Sequence, residues 1–348
     1  MPQRWHRWWR RAMFRLRPRR TVGVVTLLGV SAGLLTWART APEGFQQELM
    51  LNIGASVLVI AFSYAIIDPI FEELRRSRVE EHPLFDDQRF SEHVRAAERV
   101  VAVMDVGSHL LEGQASRERF LECLRVALRS GATARVLLLD PSSTAAEQRE
   151  EEIRPVRVRD VICDNLRYLD LFTRTIPEPL RPRFQVRIYD ALPSIQLYRW
   201  DDKGLISFFP IGVRASASPH LEVVMSSPLG EFVHERFEAL WHHPSTRPLT
   251  EYMELPVSVR HAGIVIHECA VRFIELDGTR YIEGARMLAQ LTDHGIHGLD
   301  LVLEDRIFTL SRVSAEDDAD HAPVNQAFRL KYGRSSLGES TLIMKLAP

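Results

Sequence analysis

Two apolar runs without a charged side chain open this chain, Thr21 to Ala38 and Leu49 to Ile67, with only Arg39 to Glu48 between them. At about 1.5 Å per helical residue, runs of about 18 residues reach roughly 27 Å, the thickness of a bilayer core. Spans joined this tightly must run antiparallel, so the sequence predicts a transmembrane helical hairpin over 21–70, with spans at 21–38 and 49–67. The arginines Arg4, Arg7, Arg10, Arg11, Arg15, Arg17, Arg19 and Arg20 precede it, and residues 1–20 contain no acidic residue. The positive-inside rule then holds this leader in the cytoplasm, and Arg75, Arg76 and Arg78 after the second run agree. The expected location is a bacterial inner membrane, crossed twice, with the N-terminus and the C-terminal domains cytoplasmic and the lipid bilayer as first partner. A cleaved signal peptide is the competing reading; Pro42 and the second apolar run argue against it. Gly29 and Gly33 form a G-x-x-x-G pair of the kind that lets membrane helices pack closely.

The remainder reads as ordinary globular chain. The whole chain of 348 residues carries a net charge of −2, and once the basic leader is set aside the rest is mildly acidic, which excludes a broad nucleic-acid-binding face. Cys123, Cys163 and Cys269 have no paired spacing, as expected of reduced thiols. Residues 71–97 read as a juxtamembrane helix and linker. From 98 to 243, β-rich runs alternate with amphipathic helices: strands at Val100–Val106, Ala134–Leu139, Phe184–Tyr189, Ile195–Trp200, Leu205–Phe209 and Leu221–Met225, and helices at Arg117–Arg129, 147–175 and Gly230–Trp241. The pattern is α/β with a mixed central sheet. Pro244 to Pro248, within HHPSTRP, reads as a linker. Residues 250–348 read as a small β-rich α+β domain, with strands at Val257–Val259, Gly263–His267, Ala270–Leu276, Arg280–Ile282, Gly298–Leu303, Arg306–Val313 and Leu342–Leu346, a helix at Glu283–Leu291 and an acidic loop at 314–325.

The runs RVLLLDPSS (Arg135–Ser143), QVRIYDALPSIQLYRWDD (Gln185–Asp202) and FEALW (Phe237–Trp241) resemble the phospholipase D-like fold, in particular a degenerate bacterial branch attached to regulators. Active members carry H-x-K-x-x-x-x-D, in which the His attacks a phosphodiester and the Lys stabilises phosphate charge. The matching window here has Ser194 for the His and Gln196 for the Lys and ends on Asp201, so the resemblance implies a fold without its catalytic pair. It places a candidate phosphate site near Asp140, Tyr189, Asp190, Ser194, Gln196, Arg199, Asp201, Asp202 and Lys203. For Asp140 the alternative is a turn cap, and for Asp201, Asp202 and Lys203 a solvated hairpin tip. One motif copy where active members need two implies a homo-oligomer, at least a dimer.

Gly107-Ser108-His109 follows the first strand, either as a phosphate-holding turn or as a plain strand-to-helix connection. His261, His267, Glu268, Cys269, His294 and His297 lack metal-ligand spacing, so no metal and no cofactor are expected. Three functions follow: a membrane-anchored sensor or effector binding a nucleotide or other phosphate-bearing ligand, as in some bacterial defence systems; a membrane-bound phosphodiesterase or phospholipase; or a scaffold without a small ligand.

Overall fold

The computed structural model describes residues 18–40, 45–62, 79–284, 299–303, 306–313, 321–333 and 343–347. These fall into two compact units, 1–78 and 79–348.

In the first unit, helices α1 (Pro18–Thr40) and α2 (Phe45–Phe62) pack side by side. Their contact is built from small residues. Ser31 Oγ donates to the Gly54 carbonyl at 2.9 Å, and a Cβ on Gly54 would meet the Leu35 side chain at 3.1 Å. Ala38 and Ala61 are buried in the same seam, whereas a Cβ on Gly29 or Gly33 would meet nothing within 4 Å.

The predicted transmembrane hairpin is corrected here. Among the described residues no helix is long and apolar enough to cross a membrane, and the two-pass inner-membrane location falls with it. Helix α2 begins with Gln46, Gln47 and Glu48. The described part of the second apolar run, Leu49 to Phe62, rises only about 21 Å, short of a bilayer core of about 30 Å. Helix α1 carries arginine at both ends and interleaves its leucines and valines with Thr26, Gly29, Ser31, Gly33 and Thr36. The membrane-packing role of Gly29 and Gly33 loses its setting for the same reason. The end of the second apolar run, residues 63–67, lies outside the described residues.

The second unit is organised by an eight-stranded sheet in the order β1-β7-β6-β5-β2-β3-β4-β8. Its strands are β1 (Glu80–His82), β2 (Val100–Asp105), β3 (Thr133–Leu139), β4 (Phe184–Tyr189), β5 (Ile195–Trp200), β6 (Lys203–Phe208), β7 (His220–Val224) and β8 (Arg247–Pro248). The three central strands β2, β3 and β4 run parallel and all other pairs antiparallel. The parallel core explains the sequence pattern. Strands covered on both faces read as unbroken apolar runs, as in VVAVM and VLLL.

Helices α3 (Asp87–Arg95), α4 (Gln114–Ser130), α5 (Thr144–Glu152), α6 (Val158–Thr175) and α7 (Pro228–Trp241) accompany the sheet. Their ends follow local chemistry. Ser143 and Ser227 accept the Ala146 and Gly230 N–H groups as N-caps, and Gly131 ends α4 in the left-handed conformation at φ 108°. Helix α6 buries Ile162, Leu166 and Leu169 on one stripe. Gly230 is required where α7 crosses the chain after β7: a Cβ there would stand 2.4 Å from the Val224 carbonyl oxygen.

The segment read as a linker supplies β8, which pairs with β4, and then a short buried helix, α8 (Leu249–Met253). Beyond it, β9 (Glu254–His261), β10 (Ile264–Leu276), β11 (Thr279–Glu283), β12 (Leu299–Leu303), β13 (Arg306–Arg312) and β14 (Ile343–Ala347) close into an antiparallel barrel in the order β10-β11-β14-β13-β12-β9. The two strands expected at 263–267 and 270–276 are one long strand with a register shift between Val265 and His267. Helix α9 (His321–Tyr332) begins where the sequence suggested the end of an acidic loop; its Val324 and Phe328 are fully buried. The helix expected at 283–291 lies almost wholly outside the described residues.

Candidate polar site at the carboxyl end of the central strand

The sheet's register builds one row of side chains across five strands. Gln196 on β5 faces Ser207 on β6, and His82 on β1 faces His220 on β7. One step past the last paired residues of their ladders, Met104–Leu197 and Ile206–Leu221, the register sets Asp105 opposite Gln196 and Ser207 opposite His220. Residues directly opposite share a face. Ser207 is small, so the longer side chains on either side meet above it: Gln196 Oε1 lies 2.9 Å from His220 Nε2. On its other side, Gln196 Nε2 lies 2.7 Å from Asp105 Oδ2. Tyr198, two residues along β5 and therefore on the same face, donates to the same carboxylate oxygen at 2.5 Å.

The row is enclosed. Asp105, Gln196, Tyr198 and His220 are all at most 2% exposed. The Val106 N–H donates to Asp105 Oδ1 at 2.7 Å, Ser108 Oγ lies 3.2 Å from the Tyr198 hydroxyl, and His220 Nδ1 donates to the Ser218 carbonyl at 2.8 Å. Phe85 stacks on Tyr198 with ring centres 4.5 Å apart and lies 5.2 Å from the His220 ring. Burial pushes the Asp105 carboxyl up to about 7, and the hydrogen bonds from Tyr198, Gln196 and Val106 only partly offset it. Burial pushes His220 the other way, below the ordinary histidine range.

Beside this row lies a cavity of about 50 Å³, room for a few waters or one small polyatomic ion. Asp105 and Gln196 form part of its lining, Val158 and Val161 of α6 an apolar wall, and His109, Glu112, Arg149 and Arg214 further polar side chains. Arg149, 3% exposed, straps the segment after β6 by donating to the carbonyls of Pro210 at 2.8 Å and Val213 at 2.9 Å. Arg214 is paired with Glu112. His109 Nδ1 and Asn165 Nδ2 are buried without a hydrogen-bond partner.

Of the residues singled out from sequence, the structure brings Gly107, His109 and Gln196 to the cavity and puts the Tyr189 hydroxyl 3.3 Å from the Asp105 carbonyl, beneath the row. Ser194 is exposed just before β5. Asp140 lies apart, accepting the Ser142 N–H at 2.8 Å and pairing with Arg247 at 2.6 Å; Asp190 is exposed just after β4. Arg199, Asp201, Asp202 and Lys203 gather toward the opposite end of β5, about 10 to 17 Å from Gln196 at strand rise. There Asp201, at φ 47°, accepts the N–H groups of Glu98, Arg99 and Val100 and holds the hairpin to β2. Burial raises its carboxyl, but the three N–H groups outweigh this and the net shift is downward. Lys203 pairs with Glu222 at 2.6 Å. Glu222 also lies with Glu80 and His82 in the one group of acid and histidine side chains, among the described residues, close enough to share an ion. Lys203 and Arg89 already supply positive charge there. Ser108 serves the short 3-10 turn His109–Leu111, and its N–H is taken by Asn165 Oδ1 at 2.6 Å.

Sequence reasoning missed Asp105, Ser108 as part of a network, Asn165, Tyr198 and His220. The available signal was an acid closing the apolar run VVAVMD.

No protein-family model matches the sequence, and no curated protein matches it. Three similar solved structures overlap the chain in part. The phospholipase D family member Nuc from Salmonella typhimurium is 12% identical, with a TM-score of 0.31 over 49% of this chain and 95% of its own. The phosphatidylserine synthase of Haemophilus influenzae Rd KW20 is 13% identical, with a TM-score of 0.33 over 49% of this chain and 38% of its own. TrmBL2, an archaeal chromatin protein that binds DNA, is 10% identical, with a TM-score of 0.28 over 57% of this chain and 66% of its own. Overlaps this partial define no chemistry for the chain.

Proposed function

We propose that the second unit is a binding module for a small phosphate-bearing ligand, seated in the cavity at the carboxyl end of β2, and that it binds without cleaving. The observation that carries the reading is the cavity's lining: Arg149 and Arg214, with His109 offering a buried, unpartnered Nδ1. A phosphate group arriving there exchanges the Glu112 carboxylate for itself on Arg214 and meets His109 as a further donor. The position, at the carboxyl end of a parallel strand beside an antiparallel one, is where open α/β sheets form ligand crevices. Cleavage is left out because Ser194 and Gln196 stand where the resembled phospholipase D-like family carries its His and Lys. Gln196 is moreover committed to Asp105 and His220.

The test is thermal unfolding of the full chain against inorganic phosphate, nucleotides, cyclic oligonucleotides and phosphate-bearing headgroups. A ligand at 100 times its Kd adds about 2.7 kcal/mol, a rise of a few degrees in Tm. Arg214→Ala should abolish that rise while Lys203→Ala, at the far end of β5, leaves it. No rise with any member of the panel rejects the reading.

A further inference from the structure

From the hydrogen-bond geometry we infer that Asp105, Gln196 and His220 hold one proton in common, and that this proton keeps the cavity floor uncharged so that an anion can approach it. The coupling to an anion rests on the proposed function above; the shared proton does not.

The argument is a count of donors. The Ser218 carbonyl can only accept, so His220 Nδ1, 2.8 Å away, carries a hydrogen. The Nε2 of a neutral ring is then a lone pair, and it faces the Gln196 side chain at 2.9 Å. The amide has one accepting and one donating end. With its oxygen toward the ring, two acceptors meet at 2.9 Å unless Nε2 is protonated. Turned over, with its nitrogen toward the ring, its oxygen meets Asp105 Oδ2 at 2.7 Å, again two acceptors unless Asp105 is protonated. Neither amide orientation satisfies a neutral histidine together with a carboxylate. One added proton closes the chain in two ways: on His220 with the amide in the first orientation, or on Asp105 with the amide turned over. Moving between them shifts one proton from His220 Nε2 to Asp105 Oδ2 as the amide rotates, with no change in net charge.

Surroundings decide between the two forms. Full burial penalises the ion pair, raising Asp105 to about 7 and lowering His220. The neutral acid with the neutral ring is therefore the resting form, and the pair titrates as a unit. The groups facing it are Glu112, Arg214, Arg149 and His109 around the cavity, Tyr198 of β5, Tyr189 of β4, and His82 of β1 opposite His220. Tyr198 continues to donate to Asp105 in both forms, and Ser108 to Tyr198. With Asp105 neutral, the anion faces no carboxylate of the row; once the proton leaves, it does.

Infrared spectroscopy of the full chain tests this directly. At pH 6, where exposed carboxyl groups are ionised, the wild type should show the carbonyl band of a protonated carboxylic acid. The band should shift when aspartate carboxyl carbons are labelled with carbon-13, and should be lost in Asp105→Asn. The labelling needs no variant to fold. Sulfate, whose charge is constant over this range, then serves as the probe anion. Its Kd for the wild type should rise about tenfold per pH unit above about 7. In Asp105→Asn, whose amide donates to Gln196 as the acid does, it should stay flat. Absence of the band, or a sulfate profile that titrates identically in Asp105→Asn, overturns the inference. A band with no sulfate bound at any pH removes the proposed function and the coupling, and leaves the shared proton standing.

Discussion

Among the described residues the barrel's interior is mainly apolar: Val257, Val259, Ile282, Leu301 and Met344 cluster there, and His267, opposite Val259, brings one imidazole with a buried, unpartnered Nε2 to that face. The interior of the eight-stranded sheet contains a carboxyl, a carboxamide, an imidazole and a phenol joined in one row. Both regions are sheets with buried faces, so burial alone does not account for the difference. A barrel closed on itself has no free edge and needs only to fill its lumen. The open sheet has strand ends beside a cavity, and there the chain accepts the desolvation of four polar groups. The polar row is thus a specific and costly feature, with a role beyond holding the sheet together.

The largest effect should come from cutting the row at its centre. Gln196→Leu keeps the volume but leaves Asp105 and His220 facing an apolar group. Leaving two buried neutral partners unsatisfied costs about 1–3 kcal/mol each, roughly 4 kcal/mol together, read as a lowered urea midpoint. A loss below about 1 kcal/mol, the scale of one ordinary hydrogen bond, would mean that the row is not a unit.

A somewhat smaller effect is the row's pH dependence. Asp105 titrates near 7 folded and near 3.8 unfolded. The folded state therefore holds the extra proton between these values, and stability falls as pH rises from about 4 toward 7, by roughly 3 kcal/mol over the window. Asp105→Asn should flatten that limb in denaturation curves taken at half-unit intervals. The barrel's counterpart is Leu301→Ala, at a fully buried position. It should cost about 3 kcal/mol by opening a cavity, with no added pH dependence between 4 and 7. A pH-dependent loss there would erase the contrast between the two regions.

How much of this could be read beforehand follows the same divide. The strands Phe184–Tyr189 and Ile195–Trp200 match expectation residue for residue, because apolar runs bounded by turn residues have a local cause. The row does not, because it is assembled by register: Asp105 and His220 stand 115 positions apart and meet only through Gln196 above Ser207. Gln196 was found through a resemblance, whereas His220 had no motif to expose it. The membrane hairpin is overturned on a different ground: among the described residues no helix is long and apolar enough to cross a membrane. Helix α9 was missed because its apolar positions, Val324 and Phe328, follow directly on the acidic stretch before it.

The smallest expected effect lies where barrel and sheet meet. Lys331 of α9 is 8% exposed; its ammonium donates to the Phe273 carbonyl at 2.8 Å and sits 3.9 Å and 4.4 Å from the Phe273 and Tyr252 ring centres. Burial, and then the nearby Arg247, lower this lysine to about 7. The sign is opposite to that of Asp105. Unfolded, the lysine keeps its proton to about 10.5; folded, it loses it near 7, so the unfolded state binds more protons in between and stability rises with pH. Between pH 7 and 8 the gain should be about 1 kcal/mol. Lys331→Met keeps the stem and its packing while deleting the charge. Replacing a buried charge with an apolar side chain of similar volume is often neutral or better, so the variant should unfold at pH 7 within about 1 kcal/mol of wild type or above it. It should also show none of the rise toward pH 8. Wild-type curves should therefore dip near neutral pH, with Asp105→Asn removing the acid-side limb and Lys331→Met the alkaline one. If either substitution flattens both limbs, the two buried groups are coupled through α6 and α8, and sheet and barrel must be treated as one electrostatic unit.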